Sequence, residues 1–154
     1  MAWLPMSSRR GSVRSRVSHP LSRVQAVIVF SNDRLGPSAE LVVSNEVAAA
    51  MLQATADAIR PRADARWECE LLRWLDERAL AATRVTSTES LDVGEIAWTR
   101  DHFDAQRWFL VEAIVRAAIH SEHAAALERW RQMIEAHPRE SVQFGRRWNW
   151  QPTA

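Results

Sequence analysis

Apolar positions recur with a helical period over one long stretch, Thr99 to His120 (TRDHFDAQRWFLVEAIVRAAIH), which contains neither Gly nor Pro between Asp101 and His120. About 20 residues at 1.5 Å rise make a rod of roughly 30 Å, the width of a small domain. At 100° per residue, Phe103, Leu110, Ile114, Ala117 and Ala118 share one face, and Trp108, Val111, Val115 and Ile119 widen it past half the circumference. So broad an arc predicts packing on two sides. His102, Gln106, Glu112, Arg116 and His120 lie opposite. Arg107 inside the arc and Phe109 on the polar side depart from the pattern; each is either a local adjustment of packing or the mark of a buried ion pair and an exposed aromatic contact. Asp101 and Asp104 suit the positive end of the helix, which Thr99 or Asp101 can cap.

Continued past His120, the same helix would turn Leu127, Trp130 and Ile134 toward its polar side. A break is therefore predicted at Ser121 to Glu122, with Ser121 capping a second helix that ends at His137, before Pro138.

Earlier in the chain the period shortens. Val24 to Phe30 (VQAVIVF) is β-branched and strand-length, SNDRLGP supplies turn chemistry, and Ala39 to Val43 gives a second strand of an antiparallel hairpin. Ser44 or Asn45 caps a helix with Val47, Met51, Ala54 and Ala58 on its core face, which stops before Pro61. Ala63 to Leu80 repeats the helical pattern, with Ala63, Trp67, Leu71, Trp74 and Leu75 inward. Ala82 to Gly94 loses that period and reads as a loop, with room for short strands at Arg84 to Thr88 and Val93 to Trp98. Ser141 to Trp150 alternates cleanly, with Val142, Phe144, Arg146, Trp148 and Trp150 on one face, as a closing strand does. The predicted fold is α+β: a small antiparallel sheet, formed by the N-terminal hairpin and the C-terminal strand with room for central strands, packed against about four α-helices. It occupies residues 24–152, as one domain in a chain of 154.

Charge separates the remaining residues from that domain. Residues 1–23 hold five Arg, several Ser and no acid, whereas the rest of the chain holds 15 Arg against 19 acids, a net of −4. The arm reads as a disordered N-terminal extension, with an anion-binding arm and an acid-poor transit sequence as alternatives. No apolar run reaches the 18 residues of a membrane span. A single cysteine, Cys69, leaves no internal disulfide or multi-Cys zinc site and suits a reducing, cytoplasmic setting; it is expected as a buried, inert thiol. All twenty basic residues are Arg, which weakens any single Arg as a recognition signal.

Candidate chemistry is sparse. None of the phosphate-cradling, nucleophile-elbow or zinc-helix motifs occurs, and with four Gly the chain has little material for a nucleotide loop, so no cofactor is expected. His102 and His120 lie about 27 Å apart along one helix and cannot share a metal. His120 and His123 lack a third ligand. Eight Trp are the unusual feature: Trp67, Trp74, Trp108 and Trp130 are expected in the core, while Arg146, Arg147, Trp148, Asn149 and Trp150, together with Phe109, are the candidate partner-binding residues, because Trp and Arg dominate interface hot spots. The expected function is a non-enzymatic module binding a partner protein, comparable in size and class to small bacterial immunity or inhibitor proteins. Nucleic-acid binding through the arm and the Arg/Trp strand is the alternative. A scattered enzyme site would need at least three of His102, Asp104, Glu112 and His120 to converge on a deep pocket.

Overall fold

The structure is a computed structural model that describes residues 26–33 and 39–138. The N-terminal arm, the tip of the first turn and the predicted strand from Ser141 to Trp150 lie outside the described residues. The β-branched run forms β1 (Val27–Ser31), and β2 (Glu40–Ser44) pairs with it antiparallel, Val29 opposite Val42 and Ser31 opposite Glu40. Ser44 then ends the strand and starts the next helix, its Oγ accepting the Val47 N–H at 3.1 Å as the sequence predicts.

That helix, α1 (Asn45–Ile59), buries Ala48, Met51, Leu52, Ala56 and Ile59. Val47, Ala54 and Ala58, expected inward, are only half-buried, because α1 packs on α2 (Arg66–Ala82) and α3 (Phe103–Ala118) as well as on the hairpin, and its buried face is turned toward all of them. Thr55 on that buried face gives its hydroxyl to the Met51 carbonyl, 2.8 Å away, which settles the one polar side chain there. α2 begins three residues later than expected, where Glu68 Oε1 accepts the N–H groups of Asp64 and Ala65 at 2.8 and 2.9 Å. Its inward stripe is Leu71, Leu75, Ala79 and Ala82, Trp67 and Trp74 are half-buried at its margins, and Cys69, expected buried, is exposed.

The third strand corrects the predicted sheet. β3 (Glu89–Asp92) lies between the two short segments expected as strands and runs parallel to β1, Phe30 beside Leu91, so the sheet has order β2-β1-β3 and is mixed. Arg84 and Val85 do not join it because their N–H groups bond Ala81 and Ala82 and close α2. Val93–Glu95 form a 3₁₀ turn instead of a strand: Asp92 accepts the Gly94 N–H at 2.7 Å, and Glu95 Oε2 accepts the Asp92 N–H at 3.2 Å.

Neither Thr99 nor Asp101 caps α3 through its side chain. Gln106, expected on the polar side, is buried there, its Oε1 accepting the Thr99 N–H and its Nε2 donating to the Ala97 carbonyl, so one amide ties the incoming loop to the helix. The predicted break is present, but Ser121 does not cap the second helix: α3 ends at Ala118, Ser121 Oγ accepts the His123 N–H at 2.9 Å within the turn, and α4 (Ala124–Glu135), with His123 at its N-cap and its end two residues short of the expected His137, packs back on α3 with its phase reset, burying Leu127, Trp130, Met133 and Ile134. Trp130 meets Phe30 of β1 edge-on, ring centroids 5.3 Å apart, which joins the helical layer to the sheet. These buried residues form one cluster.

Candidate functional site

The broad apolar arc of α3 divides in two. Phe103, Leu110, Ala113 and Ile114 face the core and Val111 is also buried, whereas Trp108 is 62% exposed, Val115 47% and Ile119 65%. On a helical wheel those three fall within about 40° of one another, roughly opposite Leu110, and they span about 16 Å along the axis. The helix therefore buries one face between α1 and α4 and presents a second apolar stripe to solvent. Single exposed apolar residues are ordinary, but three aligned on one rigid helix make a surface.

Acidic side chains stand at the N-terminal end of this stripe, with Asp101 and Asp104 exposed; Arg116 and His120 are exposed toward its C-terminal end. Glu112, on the same side of the helix, is held by Arg62 at 3.0 Å. Phe109, beside Trp108 in the chain, is half-buried: the Trp67 ring meets it edge-on at 5.5 Å and the Arg62 guanidinium lies over it at 5.6 Å. Its place on the polar side of the wheel is explained by α2, whose first turn packs there. Trp67 also stacks on His102, 5.7 Å between ring centroids. Arg107 reaches off the apolar face to the carbonyls of His137 and Glu135, so it closes the end of α4 and forms no buried carboxylate pair.

A second polar constellation sits where the parallel strands β1 and β3 end. The Asp92 carboxylate accepts from Ser31 Oγ at 3.1 Å, from the Asp33 N–H at 2.7 Å and from the Gly94 N–H at 2.7 Å. The negative charge on Asp92, and after it burial, raises the Asp33 carboxyl above the usual carboxylate range. Beneath them the buried Asn32 donates to the Met133 carbonyl at 3.0 Å, and its Oδ1 lies 3.4 Å from Nδ1 of His137, whose ring stacks on Trp98. Asp92 thus accepts from two backbone N–H groups and one hydroxyl of the chain itself, and its carboxylate also meets that of Asp33. The cluster clasps β1 to β3.

A cavity of about 250 Å³ opens between the end of α2 and β3, with Ile28, Leu52, Val85 and Leu91 as its apolar lining and Arg78, Arg84 and Glu89 among its polar residues. None of His102, Asp104, Glu112 or His120 lines it, and those four do not converge anywhere. Among the described residues no group of three His, Cys, Asp or Glu is placed to hold a metal, and no helix is long and apolar enough to cross a membrane.

Of the residues singled out from the sequence, Arg146, Arg147, Trp148, Asn149 and Trp150 lie outside the described residues, and Phe109 stands on the flank of the exposed stripe. Trp108, Val115 and Ile119 were expected in the core. The signal that could have separated them is the width of the arc itself, which exceeds what two packing partners can cover. Comparison with protein-family models, with curated proteins and with solved structures finds no match.

Proposed function

We propose that the protein is a non-enzymatic interaction module that binds a partner protein through the exposed face of α3. The observation that carries this reading is the solvent-facing stripe of Trp108, Val115 and Ile119 on a helix whose other face is fully packed. A large aromatic held on a rigid element loses little conformational freedom on binding, which is why Trp anchors so many interfaces. Such a surface acts by occupying its partner, the mode of small inhibitor and immunity proteins. Among the described residues 11 Arg stand against 18 acidic residues, a net of −7, which counts against a phosphate backbone as the ligand of this body.

The test is co-purification from the native host with Trp108→Glu and Ile119→Glu, using Leu80→Glu as the control, since Leu80 is equally exposed on α2. A stoichiometric protein partner kept by the Leu80 variant and lost with both α3 variants is the expected result. Capture that is indifferent to both α3 variants refutes this surface.

A further inference from the structure

The cavity between the end of α2 and β3 is a space the sequence leaves unfilled. α2 closes on Ala81 and Ala82, and β3 contributes one inward apolar side chain, Leu91, so small side chains border the gap over Ile28 and Leu52. Ile28, Leu52 and Leu91 are buried and form its inner end, whereas Arg84, Thr86, Glu89 and Ser90 are exposed and stand at its mouth. An apolar space of about 150 Å³ holds benzene, and at about 250 Å³ this one has room for roughly ten non-hydrogen atoms. Lining atoms that face such a space forgo dispersion contacts, which an apolar guest restores.

The charges at the mouth select what the guest carries at its other end. Arg78 is committed within the fold, pairing with Glu95 at 3.5 Å and lying over the Trp74 ring. Arg84 and Glu89 are not: neither forms an ion pair or a side-chain hydrogen bond with any described residue, the other included. Two unpaired charges of opposite sign on the rim of one cavity suit a ligand that carries both signs. A plain carboxylate would meet Arg84 but face the like charge of Glu89, and a plain amine would meet Glu89 but face Arg84. The Thr86 and Ser90 hydroxyls border the same mouth and offer a carboxylate further donors.

We infer that this cavity binds a free apolar α-amino acid of the size of leucine or methionine, with its side chain inward, its carboxylate at Arg84 and its ammonium at Glu89. The site is separate from the α3 stripe and does not depend on the reading of that surface. Both charged partners stand in water, so binding is moderate, with a dissociation constant on the order of 10⁻⁴ M.

Isothermal titration of the full chain tests it with three probes: L-leucine, 4-methylpentanoate, which lacks the ammonium, and 3-methylbutylamine, which lacks the carboxylate. Leucine is expected to bind about tenfold tighter than either. Arg84→Met and Glu89→Gln each weaken leucine about fivefold, and Glu89→Gln also closes the gap between leucine and 4-methylpentanoate. Both side chains are exposed, so neither variant changes the thermal unfolding midpoint in the absence of ligand. Val85→Trp, on the half-buried wall, fills the space and abolishes binding. Saturating leucine, at about 10 mM, raises the wild-type midpoint by about 5 °C. Absence of both heat and a midpoint shift at that concentration overturns the inference. So does 4-methylpentanoate or 3-methylbutylamine binding as tightly as leucine, leucine binding indifferent to the two charge variants, or full binding by a folded Val85→Trp.

Discussion

Asp92→Ala tests the clasp at the end of the sheet, and its cost can be worked from the contacts. Three donors lose their acceptor: Ser31 Oγ at 3.1 Å and the N–H groups of Asp33 and Gly94 at 2.7 Å. Bonds to a charged group contribute about 1.5–3 kcal/mol when buried, and since water can reach this half-exposed site, about 1 kcal/mol each is the appropriate figure. Against that loss of about 3 kcal/mol stands the repulsion removed from Asp33, which is largely exposed, so that solvent screening holds the relief to roughly 0.5 kcal/mol. The net expectation is a loss of about 2.5 kcal/mol at neutral pH, read from urea unfolding followed by tryptophan fluorescence with an unchanged slope. The double-mutant cycle with Asp33→Asn isolates the charge component: with the Asp33 charge already removed there is no relief, so Asp92→Ala costs about 0.5 kcal/mol more in that background. The sign with pH follows from the raised Asp33 carboxyl. Below its ordinary value near 3.8 Asp33 is protonated in both folded and unfolded chains and carries no repulsion; the penalty sets in as pH rises through the elevated folded value, so Asp33→Asn stabilises only above that window. A cost below 0.5 kcal/mol for Asp92→Ala, or a cycle with zero or inverted coupling at neutral pH, would refute the reasoning.

Three further outcomes are expected. Trp130→Ala, with its ring 1% exposed against Phe30, costs about 3–5 kcal/mol, whereas Trp108→Ala costs roughly 1 kcal/mol and leaves the near-ultraviolet circular dichroism of the core unchanged; equal costs would mean that Trp108 is packed. Gly94→Ala would place a Cβ 2.9 Å from Asp92 Oδ2, on a carboxylate whose two oxygens together accept three hydrogen bonds, and is expected to cost about 1–2 kcal/mol by thermal unfolding but much less in an Asp92→Ala background. Cys69, exposed on α2, reacts fully with a thiol reagent in the native state, and reaction only in denaturant would place it inside.

The helices were legible because their signals are local. Ser44 caps where a Ser before an apolar run should, and the break near Ser121 followed from the phase conflict between Ile114 and Trp130. Two things resisted. The parallel partner of β1 is four residues long and carries one buried apolar side chain, Leu91, too little pattern to distinguish it from the Ser/Thr-rich loop before it. The apolar arc of α3 was visible, but a wheel records only which residues are apolar, not how many neighbours arrive to cover them. Gln106 shows the converse: a polar residue became buried because two loop backbone groups, the Thr99 N–H and the Ala97 carbonyl, needed partners that only the tertiary arrangement reveals.

The parallel pairing of β1 with β3 also bears on the order in which the chain is assembled. Ser31 and Asp92, bonded across the strand ends, are 61 residues apart in sequence, and the whole of α1 and α2 lies between them. The hairpin and the α1–α2 pair need only short loops to close, whereas β3 can dock only after a long one has been closed at its full entropic cost. Emerging from the ribosome, β1 has β2 beside it early and waits for its other neighbour until both helices have passed. Its second edge, with the apolar Ile28 and Phe30 beside it, is open for that interval.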